Sequence, residues 1–175
     1  SASLGGNGQT ISAGQLEIEA VNAGAWTKGF YNNAGTQVVA PAAVSNLANV
    51  QIVPGNRLVY TQDFTLTASG DDLWFTIAHN GLNAVTGATS DANDLALASQ
   101  IANAPADISV SVLSGNVALT GQTAGVYEVT GAGTATIRVA WTVNFPFGAT
   151  INNDAQLGQV SLTSGAVTVT QVAAR

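Results

Sequence analysis

The pattern that most constrains the fold is the alternation in TATIRVAWTVNF, residues 134–145, where every second residue from Ala135 to Phe145 is apolar. A period of two is typical of a β-strand with one buried face. We therefore predict a core strand whose inward side chains are Ile137, Val139, Trp141, Val143 and Phe145. The same period recurs in the segments QLEIEA, RLVYTQDFTLTA, DLWFTIA, DISVSVL and GAVTVTQVA.

One segment, SDANDLALASQIAN at residues 90–103, has helical character instead. Ser90 or Asp91 can cap its start, because their side-chain oxygens accept hydrogen bonds from free backbone N–H groups. Asp94 lies in the first turn, where negative charge suits the helix dipole. We expect Leu95, Ala98 and Ile101 to line the buried face.

Many short strands separated by Gly, Asn and Pro turns indicate an all-β fold. We predict a jelly roll or two-sheet antiparallel sandwich with one short helix insertion. The chain has 175 residues, which suits one domain with a sizeable core.

Composition excludes several classes of protein. The net charge is −6 with only 4 Lys and Arg residues, too few for a basic surface that binds nucleic acid or an anionic membrane. No apolar run approaches the ~20 residues of a membrane-spanning helix. Cysteine is absent, so no disulfide can form. Methionine is also absent and the first residues are small, so we expect a secreted, extracellular or cell-surface protein that has lost a signal peptide.

The opening stretch, SASLGGNGQTISAGQLEIEA, keeps the period of two but is rich in glycine. Glycine weakens a strand, so such a strand needs a ready-made groove. Ten extended residues reach roughly 33 Å, far enough to lie on a neighbouring molecule. We therefore expect residues 1–12 to act as a donor strand and residues 13–175 to form the sandwich. The donor face consists of Ala2, Leu4, Gly6, Gly8 and Thr10, while Ile11 and Ala13 break the pattern. Pairing of residues 1–10 within their own domain is the alternative.

Three segments carry a family resemblance. The first is the glycine-rich start followed by Gly14, Leu16 and Ile18, and the second is the closing SGAVTVTQ. The third is IVPGNRLVYTQDFTLTASGDDL, through its positions Val53, Pro54, Gly55, Asn56, Leu58, Tyr60, Gly70, Asp71 and Asp72. In these segments the chain resembles the TasA and camelysin-like family, whose members are exported with a SipW-type signal peptide. The resemblance implies a secreted jelly-roll subunit of a biofilm-matrix or pilus-like fibre, a homopolymer in which the N-terminal segment of one subunit completes the sheet of the next.

The residues offer little for catalysis. A zinc site of the HExxH kind needs two histidines, and the chain has only His79, which precedes an Asn-Gly turn signal. Asp71–Asp72 and the group Asp91, Asn93 and Asp94 do not match the spacing of an EF-hand calcium loop, so turn and capping roles are expected. We expect no enzyme, no metal and no cofactor.

Trp26, Phe30 and Tyr31 cluster in WTKGFYN, outside any clear strand. Exposed aromatic side chains can anchor an interface or stack on sugars, and a cover over the end of the sandwich is the simpler role. A monomeric secreted binding module that uses this loop around Trp26 is therefore the alternative function. A hydrolase of unknown type that depends on His79 is a third.

Overall fold

The computed structural model describes residues 3–6, 9–12, 15–70, 72–79, 85–103, 107–121, 125–145, 158–163 and 167–172. These residues form fifteen strands and one helix, α1 (Ala92–Ala102). The strands are β1 (Ser3–Gly6), β2 (Gln9–Ser12), β3 (Gln15–Ala20), β4 (Ala25–Tyr31), β5 (Gln37–Ala43), β6 (Val50–Gln51), β7 (Asn56–Ser69), β8 (Leu73–His79), β9 (Val85–Gly87), β10 (Ile108–Gly115), β11 (Ala118–Gly121), β12 (Val126–Thr130), β13 (Gly133–Asn144), β14 (Gln159–Leu162) and β15 (Val167–Val172).

The strands form three antiparallel sheets and an N-terminal hairpin. The six-stranded sheet has the order β10-β13-β7-β4-β5, with β3 also paired to β7. The four-stranded sheet has the order β11-β12-β8-β15, and the small sheet has the order β6-β14-β9. Buried side chains from all three sheets and α1 belong to one core cluster. The predicted all-β sandwich with one short helix is confirmed, and the small third sheet is an addition to it.

The long strand β7 is the centre of the six-stranded sheet. It pairs with β13 along one side. Along the other side, its first half pairs with β4 and its second half pairs with β3. Its residues alternate between buried and partly exposed from Asn56 to Thr65, because one face of the strand lies on the core. The inward face predicted for β13 is also confirmed, since all five of its expected core residues are buried.

Three large aromatic side chains lie side by side across this sheet. Trp26, Tyr60 and Trp141 are register partners on β4, β7 and β13. The ring centroids are 5.2 Å apart for Trp26 and Tyr60 and 5.6 Å apart for Trp26 and Trp141. The Tyr60 hydroxyl lies 2.8 Å from the carbonyl oxygen of Ala23. Gly24 has a φ of +82°, and a Cβ there would overlap the Tyr60 hydroxyl, so the turn before β4 requires glycine.

Helix α1 packs against β9 and β14 of the small sheet. Its buried residues are Asp94, Leu97, Ala98, Ile101 and Ala102. The expected position of Leu95 is wrong, since its side chain is 53% exposed. The buried stripe begins one residue earlier, at Asp94, and follows the i, i+3, i+4, i+7 spacing. No helix among the described residues is long and apolar enough to cross a membrane.

The Asp94 carboxylate joins this helix to the small sheet. It accepts hydrogen bonds from the backbone N–H of Gln159 at 2.8 Å, the hydroxyl of Thr89 at 2.7 Å and the backbone N–H of Thr89 at 2.9 Å. These donors stabilise the charged form and lower the pKa of Asp94, with Gln159 as the largest cause and Thr89 next. Asp91 occupies the N-cap position without a side-chain capping bond.

The lowered pKa of Asp94 predicts acid-dependent stability. Because the folded-state pKa lies below the unfolded value of roughly 3.9, the stabilisation is complete above that value. It is lost as the pH falls through the folded-state pKa. We expect Asp94→Asn to lower the thermal unfolding midpoint at pH 7, and this deficit to shrink as the pH falls below about 4.

Thermal melts of both chains across this pH range, followed by circular dichroism, measure the deficit. Asp91→Asn is the matched control, since it removes a charge from the same helix end without removing a capping bond. An equal deficit for Asp94→Asn at pH 7 and pH 2.5 would contradict the role of the charged carboxylate.

Candidate functional site

The N-terminal segment folds back on itself. Strands β1 and β2 pair with each other, with Leu4 opposite Ile11 and Gly6 opposite Gln9. Neither strand pairs with another described strand. The interpretation of residues 1–20 as one continuous ribbon is therefore wrong for the described residues. Between the strands stand Asn7 and Gly8, the dipeptide that most favours a two-residue hairpin loop, and this signal was missed.

The expected donor residues are consequently divided between two strands. Leu4 and Gly6 belong to β1 and Thr10 belongs to β2, while Ala2 and Gly8 lie outside the described residues. In a single chain, hairpin pairing satisfies backbone groups that an isolated ribbon would leave without partners. The donor-strand role of these residues stays a prediction.

Two edge strands of the six-stranded sheet, β5 and β10, are exposed along most of their length. All residues of β5 are exposed, with Val38 59% exposed, and β4 is its one partner among the described strands. At the other edge, no described strand except β13 pairs with β10, and Val112 and Leu113 are 38% and 46% exposed. The sequence contains no charged residue between positions 32 and 56, or between positions 108 and 127. Both edges are therefore free of charge.

The two edges differ in how well they are protected against pairing. Strand β5 contains Pro41, and its register with β4 shifts at two points. Strand β10 contains no proline, and its register with β13 shifts at a single point, between Val112 and Ser114. Proline and bulges are devices that protect an edge from further pairing, so β10 is the less protected edge.

The predicted aromatic loop is a strand, β4, and its three aromatic residues have different environments. Trp26 is 3% exposed, and its indole Nε1 donates to the carbonyl oxygen of Thr163 at 2.9 Å. This burial disagrees with the possible interface role of Trp26, because its partners Tyr60 and Trp141 are distant in sequence and bring it into the core. Phe30 and Tyr31 are half-buried, and their interface role stays a prediction.

Tyr31 lines a cleft of about 430 Å³ at the end of the six-stranded sheet. There the end of β4, the β4–β5 turn, the start of β7 and the end of β13 meet. Backbone hydrogen bonds hold these segments together, from Tyr31 N to Gly55 O at 2.8 Å and from Phe145 N to Asn56 O at 2.9 Å. The polar and aromatic side chains of the lining are Tyr31, Asn32, Asn33, Asn56, Arg57, Asn144 and Phe145.

The Arg57 guanidinium is fixed in this cleft by two contacts. Its Nε donates to the Asn144 side-chain oxygen at 2.6 Å, and its Cζ lies 3.9 Å from the centre of the Tyr31 ring. The Tyr31 hydroxyl is within 3.0 Å of the Gln37 side-chain oxygen. Sequence reasoning missed this cleft, because the approach of Tyr31, Arg57 and Asn144 depends on the register of three strands.

Other candidate chemistry is sparse in the part of the chain that the structure describes. His79 is the last residue of β8, opposite Val167, which confirms the predicted strand-end position. No cluster of three or more His, Cys, Asp or Glu residues that could hold a metal ion is found among the described residues. Asp94 is committed to the helix contact, while Asp71 lies outside the described residues.

The chain was compared with protein-family models, with curated proteins and with solved structures, and none of the three comparisons found a match.

Proposed function

We propose that this chain is a structural subunit of an extracellular filament, such as a biofilm-matrix or pilus-like fibre. Subunits join head to tail when the N-terminal segment of one completes a sheet of the next, a donor-strand complementation. The observation that carries this proposal is the exposed, uncharged and proline-free edge strand β10. Edges of this kind are templates for pairing with a further strand.

No strand among the described residues pairs with the outward backbone groups of β10. Thr142 N donates to Asp107 O at 2.9 Å, which makes positions 107 and 142 a hydrogen-bonded pair. Such pairs alternate along an antiparallel ladder. The backbone groups of Ile108 and Val110 consequently point away from β13, toward the space that an added strand would occupy.

The N-terminal hairpin is suited to supply that strand. A two-stranded hairpin by itself is at best marginally stable in water. The β1–β2 segment is uncharged and rich in glycine, so another backbone can approach it closely. Because β1 and β2 pair only with each other among the described strands, the hairpin can bind a neighbouring subunit with little loss of contacts to its own domain.

A contact between the N-terminal segment of one subunit and β10 of another joins two different surfaces. Such a heterologous contact produces a ring if its rotation closes and a filament if it does not. The proposed mechanism is thus assembly, and it requires no catalytic residue.

A monomeric secreted binding module remains the second candidate function. The burial of Trp26 removes the residue on which this alternative first depended. The cleft beside Tyr31 and Arg57 now favours it instead, and this cleft is compatible with either function.

The first prediction concerns removal of the N-terminal segment. We expect the full chain to form filaments and a chain that begins at Ile11 to remain a folded monomer, because β1 and half of β2 are missing. Negative-stain microscopy and size-exclusion chromatography measure assembly, and circular dichroism checks the fold. Filaments of equal length from both chains would contradict donor-strand assembly.

The second prediction concerns Leu4. A charge at this position would have to be buried in an apolar slot of the neighbour, which is unfavourable without a partner group. We expect Leu4→Asp to reduce filament mass at a given concentration, and Leu4→Ile to preserve it. Sedimentation of filaments at several protein concentrations gives the critical concentration for each variant. An unchanged value for Leu4→Asp would show that Leu4 does not enter the neighbour.

The third prediction concerns β10. Val112→Lys places a charge beside the proposed acceptor edge, where its side chain reaches solvent in the monomer but would be covered in the filament. We expect this variant to fold and not to polymerise. Leu95→Lys on α1 is the matched control, since it adds the same charge at another exposed leucine. If both variants polymerise like the parent chain, β10 is not the acceptor.

A further inference from the structure

We propose that the cleft beside Tyr31 binds an acidic sugar residue of an oligosaccharide. Arg57 holds the sugar carboxylate, and the amide side chains of Asn32, Asn33 and Asn144 hold ring hydroxyls. This proposal does not depend on whether the chain polymerises, because the cleft and β10 are separate surfaces.

The first support is the charge of Arg57. Within the described residues the one salt bridge joins Arg138 to Asp63, so Arg57 has no carboxylate partner there. Among the described residues, the cleft lining also contains no Asp or Glu. A guanidinium without a carboxylate partner among these residues, in a concave site of a chain whose net charge is −6, attracts an anionic group.

The second support is the fixed orientation of this guanidinium. The hydrogen bond from Nε to Asn144 and the Tyr31 ring hold its plane, and none of the described residues accepts a hydrogen bond from its terminal Nη atoms. Two parallel N–H donors in a planar fork match the two oxygens of a carboxylate. Because the fork is already in position, little further ordering accompanies binding.

The amide groups of the cleft favour a sugar over an acidic peptide side chain. Asn33 is exposed and has no hydrogen bond to the described residues, and the side-chain nitrogens of Asn32 and Asn144 also lack an acceptor among them. Amides both donate and accept, as sugar hydroxyls do. A sugar ring presents several hydroxyls side by side to these three amides, whereas a peptide offers them only its more widely spaced backbone groups. The volume of about 430 Å³ lies within the usual range of small-ligand sites.

Isothermal titration calorimetry of the full chain with trigalacturonate tests the proposal. Methyl-esterified trigalacturonate keeps the ring hydroxyls and lacks the charge, so we expect it to bind about tenfold more weakly or worse. This comparison uses the unaltered protein and does not depend on the folding of any variant. Absence of saturable binding of trigalacturonate at millimolar concentration would overturn the proposal.

Substitutions then assign the roles. We expect Arg57→Gln to weaken trigalacturonate binding about tenfold and Arg57→Lys to weaken it less, since Lys keeps the charge and loses the fork. Lys28→Gln is the matched control: it removes the same charge from β4, where Lys28 Nζ donates to the Gln51 carbonyl, and should bind like the parent chain. Circular dichroism verifies the fold of each variant. Equal affinity of Arg57→Gln and the parent chain would exclude Arg57 as the carboxylate ligand.

A third probe separates a sugar from an acidic peptide. Acetyl-glutamyl amide carries a carboxylate without ring hydroxyls, and we expect it to bind more weakly than trigalacturonate. Asn33→Ala should weaken the binding of trigalacturonate about threefold, roughly the loss of one neutral hydrogen bond, and leave that of acetyl-glutamyl amide unchanged. If acetyl-glutamyl amide binds as tightly as trigalacturonate, the site recognises an acidic peptide side chain and the sugar proposal is wrong.

Discussion

The row of Trp26, Tyr60 and Trp141 is the interaction on which the six-stranded sheet depends. These residues lie on three neighbouring strands, and the two tryptophans are brought into contact across β7. Aromatic pairs contribute roughly 0.5–1.5 kcal/mol each beyond their buried area. A shift of one residue in either strand pair would turn one ring to the opposite face of the sheet. The row therefore fixes the register of β4, β7 and β13 together.

This register also positions the cleft at the end of the same strands. Three residues from the aromatic row, Arg57 stands opposite Gly29 on one side and Asn144 on the other. Tyr31 lies two residues beyond Gly29, which makes it the diagonal neighbour of Arg57 across the strand pair. The stacking of Arg57 on Tyr31 and its bond to Asn144 are thus consequences of the core packing. Paired strands therefore position the residues of the cleft, as a preformed binding site requires.

The sequence was sufficient for the parts of the fold that depend on local period. The inward face of β13 and the all-β sandwich follow from alternation, because each strand buries one face. The position of Trp26 could not be read in this way, since a short segment with Lys28 and Gly29 has no clear alternation, and its core partners lie far along the chain. The cleft could not be predicted from the sequence either, because its residues come from strands that are distant along the chain. The burial predicted for Leu95 is wrong because the helix has two neighbouring stripes that both contain apolar residues. The stripe that is buried begins at Asp94, whose carboxylate is hydrogen-bonded to the small sheet.

The hairpin β1–β2 sets a physical condition on the proposed assembly. A donor strand must exchange its pairing within the hairpin for pairing with a neighbour, so the gain is the difference between the two. That difference is favourable only if the acceptor also buries apolar side chains, because backbone hydrogen bonds alone would be exchanged for similar ones. The exposed apolar side chains Val112 and Leu113 on β10 provide such burial. Both segments are also uncharged, so no like charges face each other at the contact between subunits of net charge −6.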